Sequence, residues 1–227
     1  MNENDPQITL PSSEDRSVVP NSFPKISPGQ SRLAVVGEAP GSDEIIAGSP
    51  FVGTSGRLLR AVLGGCGIAC DQVFFGNVCQ HQPKDNDIEH FDFNGVEIQT
   101  GLERLRSDLA EFRPNCVLLL GKTAFRAGRP DLCYQFKRGQ VVPLGDWRGS
   151  IFSGQGNLAG IKCVATYHPA FILRSYTDLP LFKFDVARAV AQSRTATFTL
   201  QERTGNLRPT VEDVLGFIAD VKEHRRP

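Results

Sequence analysis

No excess of positive charge marks this chain: 25 lysines and arginines are matched by 25 aspartates and glutamates. A strongly basic balance would by itself have pointed to a nucleic acid, so any such surface has to be a local patch. A run of about 18 apolar residues is missing too, which excludes a membrane-spanning helix and leaves no membrane partner to expect. The first thirty residues open on Asn and Asp, not on a basic patch followed by an apolar stretch. No secretory signal is therefore expected, and a cytoplasmic location is the default. Among the six cysteines (66, 70, 79, 116, 133 and 163) there is no C-x-x-C pair. Several fall inside apolar runs and read as buried free thiols in a reducing compartment. Cys66, Cys70 and Cys79 are irregularly spaced without a fourth partner, so no metal site is assigned. The dinucleotide fingerprint G-x-G-x-x-G is absent. Leu120-Gly121-Lys122-Thr123 follows a strand and imitates the end of a phosphate-binding P-loop. That motif needs glycine where Cys116 stands, so a nucleotide triphosphatase is rejected.

What is present is a regular alternation of short apolar runs and helical patterns. Residues 1–30 are rich in Ser, Pro, Asn and charge and read as a flexible or loosely docked arm. Leu33-Ala34-Val35-Val36 forms a strand ending at Gly37, and a Pro/Gly-rich loop runs to Gly53. Ser55 to Leu63 carries Leu58, Leu59, Val62 and Leu63 at helical spacing, closed by Gly64-Gly65. Val73-Phe74-Phe75 is a second strand, broken at Gly76-Asn77. After a polar loop, Leu102, Leu105, Leu109 and Phe112 mark a helix stopped by Pro114. Cys116 to Leu120 is a third strand, followed by a short helix from Lys122 to Ala127. Residues 128–160 are Gly-rich and irregular, with a hairpin at most. Lys162 to Thr166 is the fourth strand, and helices are expected at 179–192 and 210–223. Four non-alternating apolar strands separated by helices imply a mostly parallel sheet covered on both faces, a three-layer α/β/α sandwich. The expected organisation is an arm (1–30), one α/β domain (31–195) and a C-terminal extension with a helix (196–227).

In such folds ligands bind beyond the carboxyl ends of the strands. Gly37-Glu38, Asn77, Gly121 and His168 all sit at strand ends, so side chains from four distant stretches can converge on one rim. Gly37-Glu38-Ala39-Pro40-Gly41 forms a tight turn whose backbone N–H groups can face a ligand, or serves as an ordinary connection. Phe51, pinned between Pro50 and Gly53 in a loop, offers a stacking face for a planar ring, or else plugs the core. Asn77 carries an amide able to read the edge of an amide-like base, although strand-end Asn is also a common turn former. His168, locked by Pro169, can donate a hydrogen bond to developing negative charge, or be structural.

Taken together, these motifs are specific. G-E-A-P-G (37–41), G-x-P-F-V-G-x-x-G-x-L-L (48–59), a strand ending in Asn77, L-L-G-K-T-A (119–124) and Y-H-P-A-x-x-L-R (167–174) resemble the uracil-DNA glycosylases, in particular the family-four type. The likeness spans about residues 32 to 190 and includes the separations of 13 residues from Glu38 to Phe51 and 26 from Phe51 to Asn77. It implies an enzyme that flips uracil out of DNA and hydrolyses its N-glycosidic bond. Phe51 would stack on the base, with Gly37 and Ala39 beside it, and Asn77 would read its Watson–Crick edge. His168 would stabilise charge on the uracil, and Glu38 would orient water and stabilise the cationic sugar. Ala39 occupies the place of the catalytic Asp of the best-known branch, so Glu38 must cover that duty. Gly121, Lys122, Thr123, Phe171, Leu173 and Arg174 are expected to touch DNA. Phe171 and Leu173 would wedge into the vacated stack or else begin a buried helix. No Schiff-base lysine stands out, which argues for a monofunctional enzyme, working as a monomer on single- or double-stranded DNA. The resemblance departs in one respect. Family-four enzymes hold an iron–sulfur cluster on four cysteines, yet here no cysteine precedes Cys66, and His81 and Gly101 stand at the third and fourth positions. No cluster and no other cofactor is expected. The loops that a cluster would pin must be held otherwise, by the N-terminal arm or the C-terminal helix. Excision of hypoxanthine or xanthine, and a DNA-binding module of the same fold without efficient catalysis, are the alternative readings.

Overall fold

The computed structural model describes residues 18–27, 29, 31–83, 95–134, 144–197 and 210–224. In chain order the elements are β1 (Leu33–Gly37), α1 (Ser42–Ala47), α2 (Thr54–Gly65), β2 (Phe74–Asn77), α3 (Val96–Phe112), β3 (Cys116–Leu120) and α4 (Gly121–Gly128). They continue with α5 (Pro130–Tyr134), α6 (Leu144–Trp147), β4 (Ile151–Ser153), β5 (Lys162–Thr166), α7 (Pro169–Arg174), α8 (Leu179–Gln192) and α9 (Val211–His224). The sheet order is β2-β1-β3-β5-β4, parallel except for β4. Five strands replace the expected four. β4 was hidden in the Gly-rich stretch because it is only three residues long and buries only Phe152 fully.

The strands lack alternation because both faces are covered. Ala34, Val36, Phe74, Val117, Leu119, Cys163 and Ala165 join one core with Ile98, Leu102, Leu105 and Leu109 of α3 and Phe125 of α4. Leu33, Val35, Phe75, Leu118, Leu120 and Val164 join another with Leu59 and Val62 of α2, Ile172 of α7, and Phe182 and Val186 of α8. Side chains of successive strand residues point to opposite faces, so each strand feeds both cores and is apolar between its ends. Helix α3 begins earlier than its leucine spacing suggested, with Ile98 as the first buried rung. Helix α1 replaces part of the expected loop; its six residues are mostly polar or exposed and carry no readable stripe.

Register places the strand ends level. Gly37 pairs with Asn77 and Leu120 with Thr166, while Val36 opposite Leu119 puts Gly37 and Leu120 in the same row. The chain leaves β1 for one neighbour, β2, and later returns to the other side as β3, so the crevice between the β1 and β3 ends is a topological switch point.

Residues 18–26, expected to be loosely held, are docked along the outer edge of β2. Ser22 and Phe75 exchange backbone hydrogen bonds of 2.7 and 2.9 Å, and the Val19 amide donates to the Gln80 carbonyl at 2.8 Å. Val19 is buried, and Phe23 meets Phe74 edge to face at 5.3 Å. Unpaired edge strands invite foreign pairing, and this segment covers that edge.

At the far side of the sheet, β5 ends in a buried polar network. Thr166 donates to Asp185 of α8 at 2.8 Å, and Arg148 donates to both Asp185 oxygens at 3.0 Å. The Asp185 side chain is fully inaccessible, and burial pushes its pKa up against the hydrogen bonds that favour the charged form. A buried carboxylate stripped of its partner is costly, about 3–5 kcal/mol. Arg148→Met is therefore expected to lower unfolding free energy by about that amount in urea titrations; an unchanged midpoint and slope would disprove the coupling.

Candidate active site

The level strand ends open into one cleft of about 950 Å3. Glu38, Phe51, Asn77 and His168 all line it, together with Ala39, Gly121, Lys122, Phe171, Leu173 and Arg174. Gly37 lies directly behind: a methyl group there would sit 2.6 Å from both Asn77 Oδ1 and Phe51 Cζ. The position thus requires glycine for close approach, not for backbone freedom.

Phe51 is a bulky residue in the left-handed region, at φ 57°. Such a conformation costs about 1–3 kcal/mol and persists only where the surroundings enforce it. Arg60 enforces it from α2, donating to the Phe51 carbonyl at 2.8 Å and the Pro50 carbonyl at 3.2 Å while lying 4.4 Å over the Phe75 ring. Gly56 lets α2 pass beneath, since a methyl there would fall 2.1 Å from the Phe51 carbonyl oxygen. Glu44 closes the loop from the other side. Its carboxylate accepts from the amides of Val52 (3.1 Å), Gly53 (2.8 Å) and Gly41 (3.0 Å), joining the Gly37–Gly41 turn to the Phe51 loop. Sequence reasoning missed Glu44 and Arg60. The only available signal was an acid three residues after a glycine, a reversed half of a helix capping box.

Thr123 is not among the residues facing the cleft. Its hydroxyl donates to Glu38 Oε2 across the switch point, holding that carboxylate at the mouth of β1. Gly121, at φ 85°, begins α4, and a methyl there would come within 3.2 Å of His168 Cβ. Phe171 and Leu173 are 38% and 42% exposed while Ile172 between them is fully buried, so α7 is anchored by one residue and presents the other two at the rim. Tyr167, Asp43, Leu144 and Gly145 are among the further residues that line the cleft. Tyr167 meets the Phe171 ring at 4.9 Å.

His168 caps α7, its Nδ1 accepting from the Ala170 amide at 3.2 Å. An imidazole that accepts through Nδ1 carries its proton on Nε2 when neutral. Burial, reinforced by the positive Arg174, pushes the imidazole down to about 4. At neutral pH the ring is therefore an uncharged donor.

The thiols are free, with Cys79, Cys116 and Cys163 buried. Burial raises all three, Cys116 to about 12. Cys133 lies outside the residues whose side chains are described. The positions that the resemblance equates with cluster ligands do not fit a metal cluster. A methyl at Gly101 would overlap the Val78 carbonyl at 2.2 Å, because α3 packs straight onto the loop after Asn77. Among the described residues no three His, Cys, Asp or Glu side chains gather closely enough to hold a metal ion.

A doubly covered, mostly parallel sheet brings an aromatic, an amide, a carboxylate and a neutral imidazole to one cleft. The chain belongs to the uracil DNA glycosylase superfamily, whose sequence pattern matches residues 23–192. Similar proteins include the type-4 uracil-DNA glycosylase of Pyrobaculum aerophilum, 33% identical over 164 residues that cover 70% of this chain and 78% of the relative. The type-4 enzyme of Archaeoglobus fulgidus is 28% identical, covering 67% and 72% respectively. That of Thermotoga maritima is 29% identical, covering 65% and 69%.

Two outcomes are expected from this geometry. Glu44→Ala leaves three backbone N–H groups without their acceptor, at a cost of about 1–3 kcal/mol, and hydrogen exchange at Val52 and Gly53 should accelerate. Exchange at the wild-type rate would show that the carboxylate does not hold the loop. For His168, an unfolded chain binds a proton below about 6.5, whereas the folded chain does so only below about 4. This group adds no stability above that window and removes it progressively as pH falls through it. Its NMR titration should show a neutral ring at pH 5.5; a midpoint near 6.5 would refute the assignment.

Proposed function

We propose that the chain is a monofunctional DNA glycosylase that extrudes uracil from DNA and hydrolyses its N-glycosidic bond, leaving an abasic site. The carrying observation is the convergence of Glu38, Phe51, Asn77 and His168 on one cleft. Family membership and the names of the relatives support the same reading.

A base within a duplex is out of reach, and extruding it costs a few kcal/mol. Stacking on Phe51 recovers about 1–3 kcal/mol of this. The Asn77 amide supplies an acceptor and donors for the N3–H and O4 edge of uracil, a pattern that cytosine does not complement. As the N1–C1′ bond breaks, its electron pair remains on uracil, and the charge delocalises onto O2. His168 donates through Nε2 to that oxygen without itself carrying a charge that the buried site would penalise. Glu38, oriented by Thr123, faces the sugar, where its carboxylate stabilises the positive charge at C1′ and aligns the water whose oxygen bonds there. The proton of that water leaves through Glu38 to solvent. Lys122 and Arg174 would bind backbone phosphate, and Phe171 and Leu173 would fill the vacated stack. Residues 31–195 would form the catalytic unit, acting as a monomer in the cytoplasm.

Oligonucleotides carrying one uracil, hypoxanthine or xanthine, single- or double-stranded, followed by alkaline cleavage of abasic sites, test this. Uracil-dependent cleavage is expected, with His168→Ala and Asn77→Ala each slowing it by about 10²-fold or more while the fold is retained. Cleavage only at hypoxanthine or xanthine would reassign the substrate, and binding without cleavage would reduce the chain to a DNA-binding module. Near-wild-type rates in both variants would remove the site assignment.

A further inference from the structure

Asn77 ends an edge strand, and its main chain is held by side chains. On its inner flank β2 pairs with β1, and the following amide, Val78, donates to the Gly37 carbonyl at 3.0 Å. The amide of Asn77 itself faces the other way, toward the docked N-terminal segment, where Asn21 Oδ1 accepts from it at 3.2 Å. The Asn77 carbonyl accepts from Gln80 Nε2 at 2.9 Å. Gln80 in turn is fixed by the bond from the Val19 amide to its carbonyl. Both main-chain polar groups of the proposed base reader are thus secured by, or through, residues 19–21.

The Asn21 amide has one possible orientation. Its Nδ2 donates to Asp108 Oδ2 of α3 at 2.9 Å, and a carboxylate only accepts, so Oδ1 must face Asn77. Gly76 leaves room for this arrangement: a methyl there would lie 2.7 Å from Asn21 Oδ1. Among the described residues, Asp108 also meets the largely exposed Arg104, at 3.7 Å.

We infer that Asn21 is a positioning residue for Asn77, so that the docked N-terminal segment sets the aim of the base-reading amide. The inference rests on the functional reading above. The cleft itself is not lined by Asn21, so the effect must pass through the main chain of Asn77. Misplacing a recognition group by about 1 Å costs about 10²-fold in rate, far more than loss of one half-exposed hydrogen bond costs in stability.

The test uses the full chain and the variants Asn21→Ala, Asn21→Asp and the double variant Asn21→Asp/Asp108→Asn. Asn21→Ala should lower kcat on uracil-containing single strands about tenfold or more with KM changed less than about twofold, because phosphate contacts lie elsewhere. It should also speed hydrogen exchange at the Asn77 amide. Asn21→Asp sets two carboxylates against each other and should be similarly impaired. Adding Asp108→Asn reverses donor and acceptor, leaves an oxygen for the Asn77 amide, and should restore both kcat and Asn77 protection to near the wild-type values. Wild-type kcat and Asn77 exchange in Asn21→Ala, or no rescue by the second substitution, would overturn the inference. If the wild-type chain fails to cleave uracil-containing DNA, the functional reading falls instead, and the exchange of the Asn77 amide alone decides whether Asn21 holds it.

Discussion

The cleft depends on a side chain that is not there. Gly37 closes β1 at the point where its register partner Asn77 and the tip of Phe51 come together, and 2.6 Å separates each from where a β-carbon would be. Any other residue would push the amide and the ring apart. Around that contact the level ends of β1, β2, β3 and β5 bring Glu38, Asn77, Gly121 and His168 to one edge, and the loops have only to keep them there. This is the usual logic of parallel sheets, in which positions one or two residues past a strand inherit the precision of the ladder.

Phe51 has no strand to lean on, and its placement shows what a loop needs instead. A left-handed backbone at a bulky residue would relax if left alone. Arg60 pulls the carbonyls of Pro50 and Phe51 toward α2, while Glu44 gathers the amides that follow and ties them to Gly41. One cation takes the carbonyl side and one anion the amide side of the same loop. Arg60 does so from outside the cleft and Glu44 from its wall, and both make charge-assisted bonds of the stronger kind. In the proposed reaction such rigidity matters because an aromatic floor that moved with its loop would return little of the cost of extruding the base.

The sheet, its strand ends and most helices could be read from the chain, since strands buried on both faces leave unbroken apolar runs and α2, α3 and α8 carry clear stripes. Glu38, Phe51, Asn77 and His168 were visible because each stood out in residue type at a strand end or between Pro and Gly. What escaped has a common cause. Strand β4 is too short to show a pattern; Glu44, Arg60 and Asn21 act through hydrogen bonds to main chain, and Asp108 through the Asn21 side chain, none of which leaves a periodicity. Thr123 was read as a DNA contact from its neighbours in sequence, whereas its hydroxyl turns inward to Glu38. Side chains that serve the backbone are indistinguishable, in a single sequence, from those that serve solvent.

The loop after Asn77 brings these threads together. By resemblance, this is where family-four proteins place a cluster ligand, and the residues here give it another kind of support. Gly101 lets α3 press onto the Val78 carbonyl without an intervening side chain, and Gln80 reaches back to the Asn77 carbonyl while Val19 clasps the Gln80 carbonyl from outside. Val18 bridges to His81 at the next step. A metal cluster would hold such a loop through a few strong bonds at fixed points; here many weaker ones are spread along an added strand and a helix face. Packing of that kind works only when the partners are pre-shaped, which is why Gly76 and Gly101 lack side chains where Asn21 and α3 approach. The docked segment thus packs as part of the support of the α/β unit, along the β2 edge.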